Sequence, residues 1–420
     1  MTDASTPQPP RFVRRHLQSA VIRADDYLDA ARRRFHGVVG THAPRHIAAY
    51  RGWGDASGVQ MIGRVLDDAP LGGPGEADRW WDNLLNTYRR FESDEVPGQT
   101  LKVEFGGQAV EVVTDHDGYY QAQLPGPGVV DTLWTTATVA LPDGSLSTPQ
   151  PILQVHANAG IGVISDIDDT ILQSGITDWK IAAQLTFLHN ARTRKPLKGV
   201  AMLYQALQAG TDGAGRVPIF YVSSSPWNLY DLLEDFMELN SIPPGPIFLR
   251  DLGTDAGKFL KTPGHGHKLE RARELIQRFP ALRWVLLGDS GQADAELYAA
   301  AAQEFGSRIA AIYIRDVDPD IESAYDRAVG AQLERVAGTN VPMLLARDSV
   351  AIAEHAAQLG LIDPQWLPSI TREVARDENR PSLVEAVAEA VVEGAAEAGN
   401  PPDAGDTGIS RAGGAPTDVG

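Results

Sequence analysis

Two aspartates spaced by one residue, Asp166 and Asp168, close the short apolar run Ile161-Gly162-Val163-Ile164. Buried acids held side by side are unfavourable unless they share a cation or a proton. The pair therefore points to a metal, and to a carboxylate able to attack an electrophile or carry a proton. Three more groups follow in chain order. Ser223-Ser224-Ser225-Pro226 ends the run Ile219-Phe220-Tyr221-Val222, and Lys268 opens a helical stretch after Gly264-His265-Gly266-His267. Gly288-Asp289-Ser290-Gly291 ends the run 284–287, with Asp294 beyond it. Hydroxyls and backbone N–H groups suit phosphoryl oxygens, and a lysine offsets crowded negative charge. Oxygen donors without cysteine favour Mg2+.

Taken singly, each group has a plainer reading. Ser-Ser-Ser-Pro is a good helix entry, Lys268 a solvated helix residue, and Gly-Asp-Ser-Gly a loop. Their joint order at strand ends is what argues for chemistry, because the carboxyl ends of parallel strands converge on one crevice.

The elements needed to position them are legible as alternation. Between 160 and 317 apolar strand-like runs at 161–165, 217–222, 247–249, 283–287 and 309–314 are separated by helical stretches, best marked at 268–279 and 293–305. This pattern predicts an α/β domain with a parallel sheet flanked by helices. Upstream, runs at 59–66, 100–105, 109–113, 119–124 and 134–141 are separated by Gly, Pro and Asp clusters and predict a small antiparallel β-sandwich, with a helical insert at 77–91. Asp115-His116-Asp117-Gly118 lies between two such runs and is read as a hairpin turn in preference to a metal loop. Residues 11–35 have the spacing of an amphipathic helix. Beyond Asp320 the chain reads as helical to about Val392. The expected division is a disordered lead and helix at 1–45, a β-sandwich domain at 46–155, an α/β domain with C-terminal helices at 156–392, and a disordered tail at 393–420.

Composition excludes several classes. A net charge of −18 argues against nucleic acid as a partner, and the absence of cysteine removes disulfides, thiolate metal sites and cysteine nucleophiles. No stretch approaches the roughly 20 apolar residues of a transmembrane segment. Arg14-Arg15 is followed by Asp25-Asp26 and no apolar run, unlike a secretory signal. The expectation is a cytoplasmic protein.

The four groups together resemble the signature of the haloacid dehalogenase-like phosphohydrolases. Longer stretches are similar to one branch, the actin-patch-type Mg2+-dependent phosphatidate phosphatases and their bacterial relatives: Ser165-Asp166-Ile167-Asp168-Asp169-Thr170-Ile171, Tyr221-Val222-Ser223-Ser224-Ser225-Pro226-Trp227-Asn228-Leu229, Phe248-Leu249-Arg250-Asp251 and Leu287-Gly288-Asp289-Ser290-Gly291-Gln292-Ala293-Asp294. The resemblance spans roughly 155–320. It implies a haloacid dehalogenase-like sheet and hydrolysis of a phosphate monoester through an aspartyl-phosphate. Asp166 would be nucleophile and metal ligand. Asp168 would be general acid and base, lending its carbonyl to the metal. Asp289 would be a ligand, and Asp294 a ligand or its support. Ser223 and Ser224 would bind phosphate, and Lys268 would pair with Asp166 and the phosphate. An acid at Asp168 favours hydrolysis, since a general acid/base is then present.

Substrate choice would rest on two inserts, 175–215 and 227–267, neither long enough for a full second domain. The resulting open site suits a large or surface-bound monoester such as a lipid headgroup, and the resemblance implies that the substrate is phosphatidate, converted to diacylglycerol and phosphate. A soluble phosphatase for a small phosphate ester, and a non-catalytic binding module, are the alternatives. Arg192-Thr193-Arg194-Lys195-Pro196-Leu197-Lys198 is a basic cluster in an acidic chain, suited to peripheral contact with an anionic membrane and equally to a solvated loop.

Overall fold

The computed structural model describes residues 45–67, 95–129, 131–168, 170–171, 197–250, 266–317 and 324–378. The expected helix at 11–35, the insert at 77–91, the tail at 393–420 and Arg192–Pro196 of the basic cluster lie outside them. The chain forms two compact units, Met1–Val374 and Ala375–Gly420. All the described strands lie in the first.

The fold is mixed α/β with a small β-rich N-terminal part. That part consists of β1 (His46–Ala49), β2 (Gly52–Asp55), β3 (Gly58–Leu66), β4 (Thr100–Phe105), β5 (Gln108–Val113), β6 (Tyr119–Pro125), β7 (Trp134–Ala140) and β8 (Ser147–Gln154). Alternation along β4 and β6 buries Leu101, Val103, Phe105, Tyr120, Ala122 and Leu124, which meet Ile47, Val59, Met61, Val139 and Ile152 in one core. The strands are hydrogen-bonded into a single sheet in the order β1-β3-β2-β8-β7-β4-β5, with β6 also on β3. Most pairs are antiparallel, as the sequence implies, but β2 and β8 run parallel. Asp115 is a turn residue: its Oδ1 accepts from Asp117 N at 3.0 Å and Tyr119 N at 2.9 Å, and Gly118 takes φ +76°.

A second sheet follows, of β9 (Ile161–Asp166), β10 (Ile219–Pro226), β11 (Ile247–Arg250), β12 (Arg283–Asp289), β13 (Ile309–Arg315) and β14 (Met343–Ala346). Every pair in it is parallel. The order is β11-β10-β9-β12-β13-β14. Between them run α1 (Val200–Ala209), α2 (Tyr230–Leu239), α3 (Gly266–Arg278), α4 (Asp294–Phe305) and α5 (Ala324–Ala337), and α6 (Ser349–Gln358) and α7 (Leu367–Glu378) follow β14. One face of the sheet (Val163, Tyr221, Leu287, Tyr313) packs on α1, α2 and α6 through Leu203, Leu207, Leu233, Phe236 and Ile352. The other (Ile164, Phe220, Leu286, Ile312) packs on α3, α4 and α5 through Ala272, Leu275, Ala299 and Val336. Burial on both faces explains why these strands read as unbroken apolar runs.

One expectation needs correction. The region beyond Asp320 is not wholly helical, because β14 adds an edge strand to β13. Its sequence Met-Leu-Leu-Ala consists of strong helix formers, and pairing with β13 overrides that propensity. No helix among the described residues is long and apolar enough to cross a membrane.

The β-rich part is bonded to the helix that carries Lys268. Arg278, at the end of α3, reaches Asp55 through Nη1–Oδ2 at 2.7 Å and Nη2–Oδ1 at 3.0 Å, and donates to Gly58 O at 3.1 Å. Burial alone would raise the Asp55 pKa, but the hydrogen bonds from Arg278 and Ser57 outweigh it and hold the carboxyl below its ordinary value of 3.8. A folded pKa below the unfolded one gives stability that is present above the ordinary carboxylate value and is lost as pH falls through the folded value. Asp55→Asn is therefore expected to lower stability by about 1 kcal/mol at neutral pH. The gap from the parent should close in acid when urea-unfolding midpoints are compared across pH. A pH-independent gap would assign the loss to packing.

Candidate active site

Numbered from β9, the second sheet has the strand order 3-2-1-4-5-6, which reverses direction between β9 and β12. Ligand crevices in open parallel sheets lie at that switch point, beyond the carboxyl ends of the strands. Asp166 ends β9 and Asp289 ends β12, in the same crevice. Asp294 opens α4, pressed against the end of β12: a Cβ on Gly288 would lie 2.6 Å from the Asp294 Cβ, so glycine permits the approach. Asp166, Asp289 and Asp294 are each fully buried. One carboxylate oxygen from each lies within 4.8 Å of the others.

Lys268 enters from the first turn of α3 and is 2% exposed, so it is not a solvated helix residue. Its Nζ lies 2.7 Å from Asp166 Oδ1, 2.8 Å from Asp294 Oδ1 and 3.1 Å from Gln292 Oε1. Burial alone would lower the pKa of this ammonium. The neighbouring charges of Asp166, Asp294 and Asp289 outweigh that and raise it, so Lys268 is protonated. Burial pushes the Asp166 pKa well up; Lys268 opposes the shift, while Asp294, Asp289 and Asp168 add to it. Three carboxylates thus face one ammonium. That excess of negative charge, in an all-oxygen donor set, fits a hard divalent cation.

Asp168 has a different setting. Its carboxylate turns to β10, where Oδ2 accepts from Ser223 Oγ at 2.7 Å and Ser225 Oγ at 3.2 Å. Its backbone carbonyl accepts from Gln292 Nε2 at 3.2 Å. The pairing of β10 with β11 shifts register between Val222 and Pro226, and such a shift re-aims the side chains within it. Ser223 and Ser225 are buried, whereas Ser224 between them is half-exposed. Ser225 N also donates to Ser223 Oγ at 2.9 Å.

The structure thus gathers Asp166, Asp289, Asp294 and Lys268 into one cluster, with Asp168 and Ser223 joined beside it. It also identifies Ser225 and Gln292, to which the sequence pattern assigns no role. For Ser225 the available signal was strand alternation, which puts residues two apart on one face. Ser225→Ala removes one of two hydroxyls on Asp168. A roughly tenfold lower kcat with unchanged thermal stability is expected. An unchanged kcat would show that the Ser225 hydroxyl does not orient Asp168.

Residues 161–316 match the family described as "Phosphatidate phosphatase APP1, catalytic domain". The phosphatidate phosphatase APP1 of Saccharomyces cerevisiae is 37% identical over 157 residues, covering 37% of this chain and 26% of the yeast protein. An uncharacterized protein of Schizosaccharomyces pombe is 28% identical over 162 residues, covering 38% of this chain and 26% of its own. The chain thus spans about a quarter of the length of the curated relatives it matches. Among solved structures, a carbohydrate acetylesterase from Xanthomonas citri overlaps 79% of this chain and 74% of its own, at 10% identity and a TM-score of 0.27, too low to bear on fold or function.

Proposed function

We propose that this chain is a Mg2+-dependent phosphatase of the haloacid dehalogenase type that hydrolyses a phosphate monoester, phosphatidate, to diacylglycerol and phosphate. The observation that carries the reading is the buried cluster of Asp166, Asp289, Asp294 and Lys268 at the switch point of a parallel sheet, inside the segment that matches the phosphatidate phosphatase family.

Asp166, Asp289 and Asp294 would hold the cation, with the Asp168 carbonyl beside them. Bound there, Mg2+ would offset the charge of the phosphoryl oxygens and of the carboxylates. Asp166 attacks phosphorus; a carboxylate–phosphorus bond forms as the bond to the leaving alkoxide breaks, and protonated Asp168 delivers its proton to that alkoxide. Asp168 then takes a proton from water, whose oxygen attacks the phosphorus and releases Asp166 and inorganic phosphate. Lys268, protonated and held by Asp166 and Asp294, keeps the nucleophile oriented and supplies positive charge to the phosphoryl group. Ser223 turns from Asp168 toward a phosphoryl oxygen, while Ser225 keeps its hold on Asp168.

With a lipid substrate the enzyme would work peripherally at a membrane surface facing the cytoplasm. The test is phosphate release from phosphatidate in mixed micelles, with Mg2+ and with chelator, beside a panel of water-soluble monoesters. Mg2+-dependent release from phosphatidate is the expected result. Turnover confined to soluble esters would overturn the lipid assignment, and release unaffected by chelator would overturn the metal.

A further inference from the structure

We propose that the N-terminal β-rich part is a working arm of the active site, in which Tyr50, acting through Trp227, positions the loop carrying Ser223 and Ser225. The role of that loop as phosphate holder rests on the phosphatase reading above.

Trp227 directly follows Pro226 and stands two residues from Ser225, whose hydroxyl and N–H engage Asp168 and Ser223. It is clamped by rings from the other part of the fold. Tyr50, just past β1, stacks on Trp227 with centroids 5.0 Å apart and planes 20° from parallel. Tyr119, at the start of β6, tilts against Trp227 at 6.1 Å. Tyr50 also lies 4.2 Å from the Tyr230 ring, whose hydroxyl accepts from Arg51 N at 2.9 Å. The backbone behind Tyr50 is fixed by Gln150, a fully buried side chain that donates to Tyr50 O at 2.6 Å and Ile62 O at 2.9 Å.

Tyr50 and Tyr119 belong to the core that covers one face of the parallel sheet, not to the core of their own strands. Pro226 has a fixed φ, which leaves only its ψ to absorb a shift at Trp227 before it reaches Ser225. The Arg278–Asp55 pair gives the same β-rich part a second grip, on the helix that carries Lys268. Both elements that bring positive or hydroxyl groups to the crevice are thereby held by the β-rich part.

The test measures the dissociation constant of inorganic phosphate by calorimetry in Mg2+ buffer, with thermal unfolding and kcat and KM for phosphatidate alongside. Tyr50→Ala is expected to weaken phosphate binding about tenfold and to raise KM, as a displaced binding group does. Tyr50→Leu, which keeps apolar volume but removes the stacked ring, should do the same and is the variant to read if Tyr50→Ala does not fold. Tyr50→Phe restores the ring and should bind as the parent does. Val139→Ala, in the core of the β-rich part, should lower the melting temperature without changing the affinity of the folded protein for phosphate. Parent-like affinity in Tyr50→Leu, or weakened affinity in Val139→Ala, overturns the inference, as does a parent protein that binds no phosphate. A parent that binds phosphate but releases none from any ester overturns the catalytic reading alone.

Discussion

Asp166→Asn is expected to reduce phosphate release by at least about 10^4-fold while leaving a folded protein that is no less stable than the parent in Mg2+-free buffer. The amide has the shape of the carboxylate but no nucleophilic oxygen, so no intermediate forms on residue 166. Stability should hold because the substitution removes one of three carboxylates packed within 4.8 Å of one another. Lys268 keeps Asp294 Oδ1 at 2.8 Å, so its charge stays paired. Burial already disfavours the charged form of Asp166, and replacing it with a neutral group relieves that strain. Phosphate release and thermal unfolding, measured on the same preparation, check both halves. Activity within tenfold of the parent would mean that water attacks phosphorus directly. A melting temperature several degrees lower would make the Asp166–Lys268 pair structural first.

The α/β part was largely legible in the sequence because strands buried on both faces are runs of Ile, Val and Leu, and a polar group at their ends stands out. That is how Asp166 and Asp289 could be placed at strand ends before any geometry, whereas β10 runs on through Ser223 to Pro226. The β8 strand was not legible: Pro149 and Pro151 argue against a strand, yet the ladder to β7 runs through both. The proline positions lie outside the pairing with β2, which begins only at Ile152. Lys268 was legible as a motif but not as a buried residue, since a lysine in a helix is ordinarily solvated and only the assembled carboxylates make its burial favourable. The stack of Tyr50 on Trp227 joins residues far apart in the chain, and no local period records such a contact.

Lys268→Met should separate the two tasks of that lysine. In Mg2+-free buffer, unfolding free energy is expected to fall by about 3–5 kcal/mol, the usual consequence of removing one partner from a buried ion pair. The variant leaves Asp166, Asp289 and Asp294 together without the ammonium that bridges Asp166 and Asp294. The loss should be smallest in acid and grow as pH rises, because Asp166, its pKa already raised by burial, can take up a proton in place of the missing charge. Mg2+ should restore much of the stability by binding the folded carboxylates and not the unfolded chain. It should not restore turnover, which is expected to stay about 100-fold or more below the parent, since the charge aimed at the phosphoryl oxygens is still absent. Urea unfolding with and without Mg2+, read beside phosphate release, distinguishes these outcomes. If Mg2+ recovered both stability and activity, Lys268 would serve only to balance charge, and the phosphoryl group would need another cationic partner. If Mg2+ recovered neither, the three aspartates would not be a cation site at all.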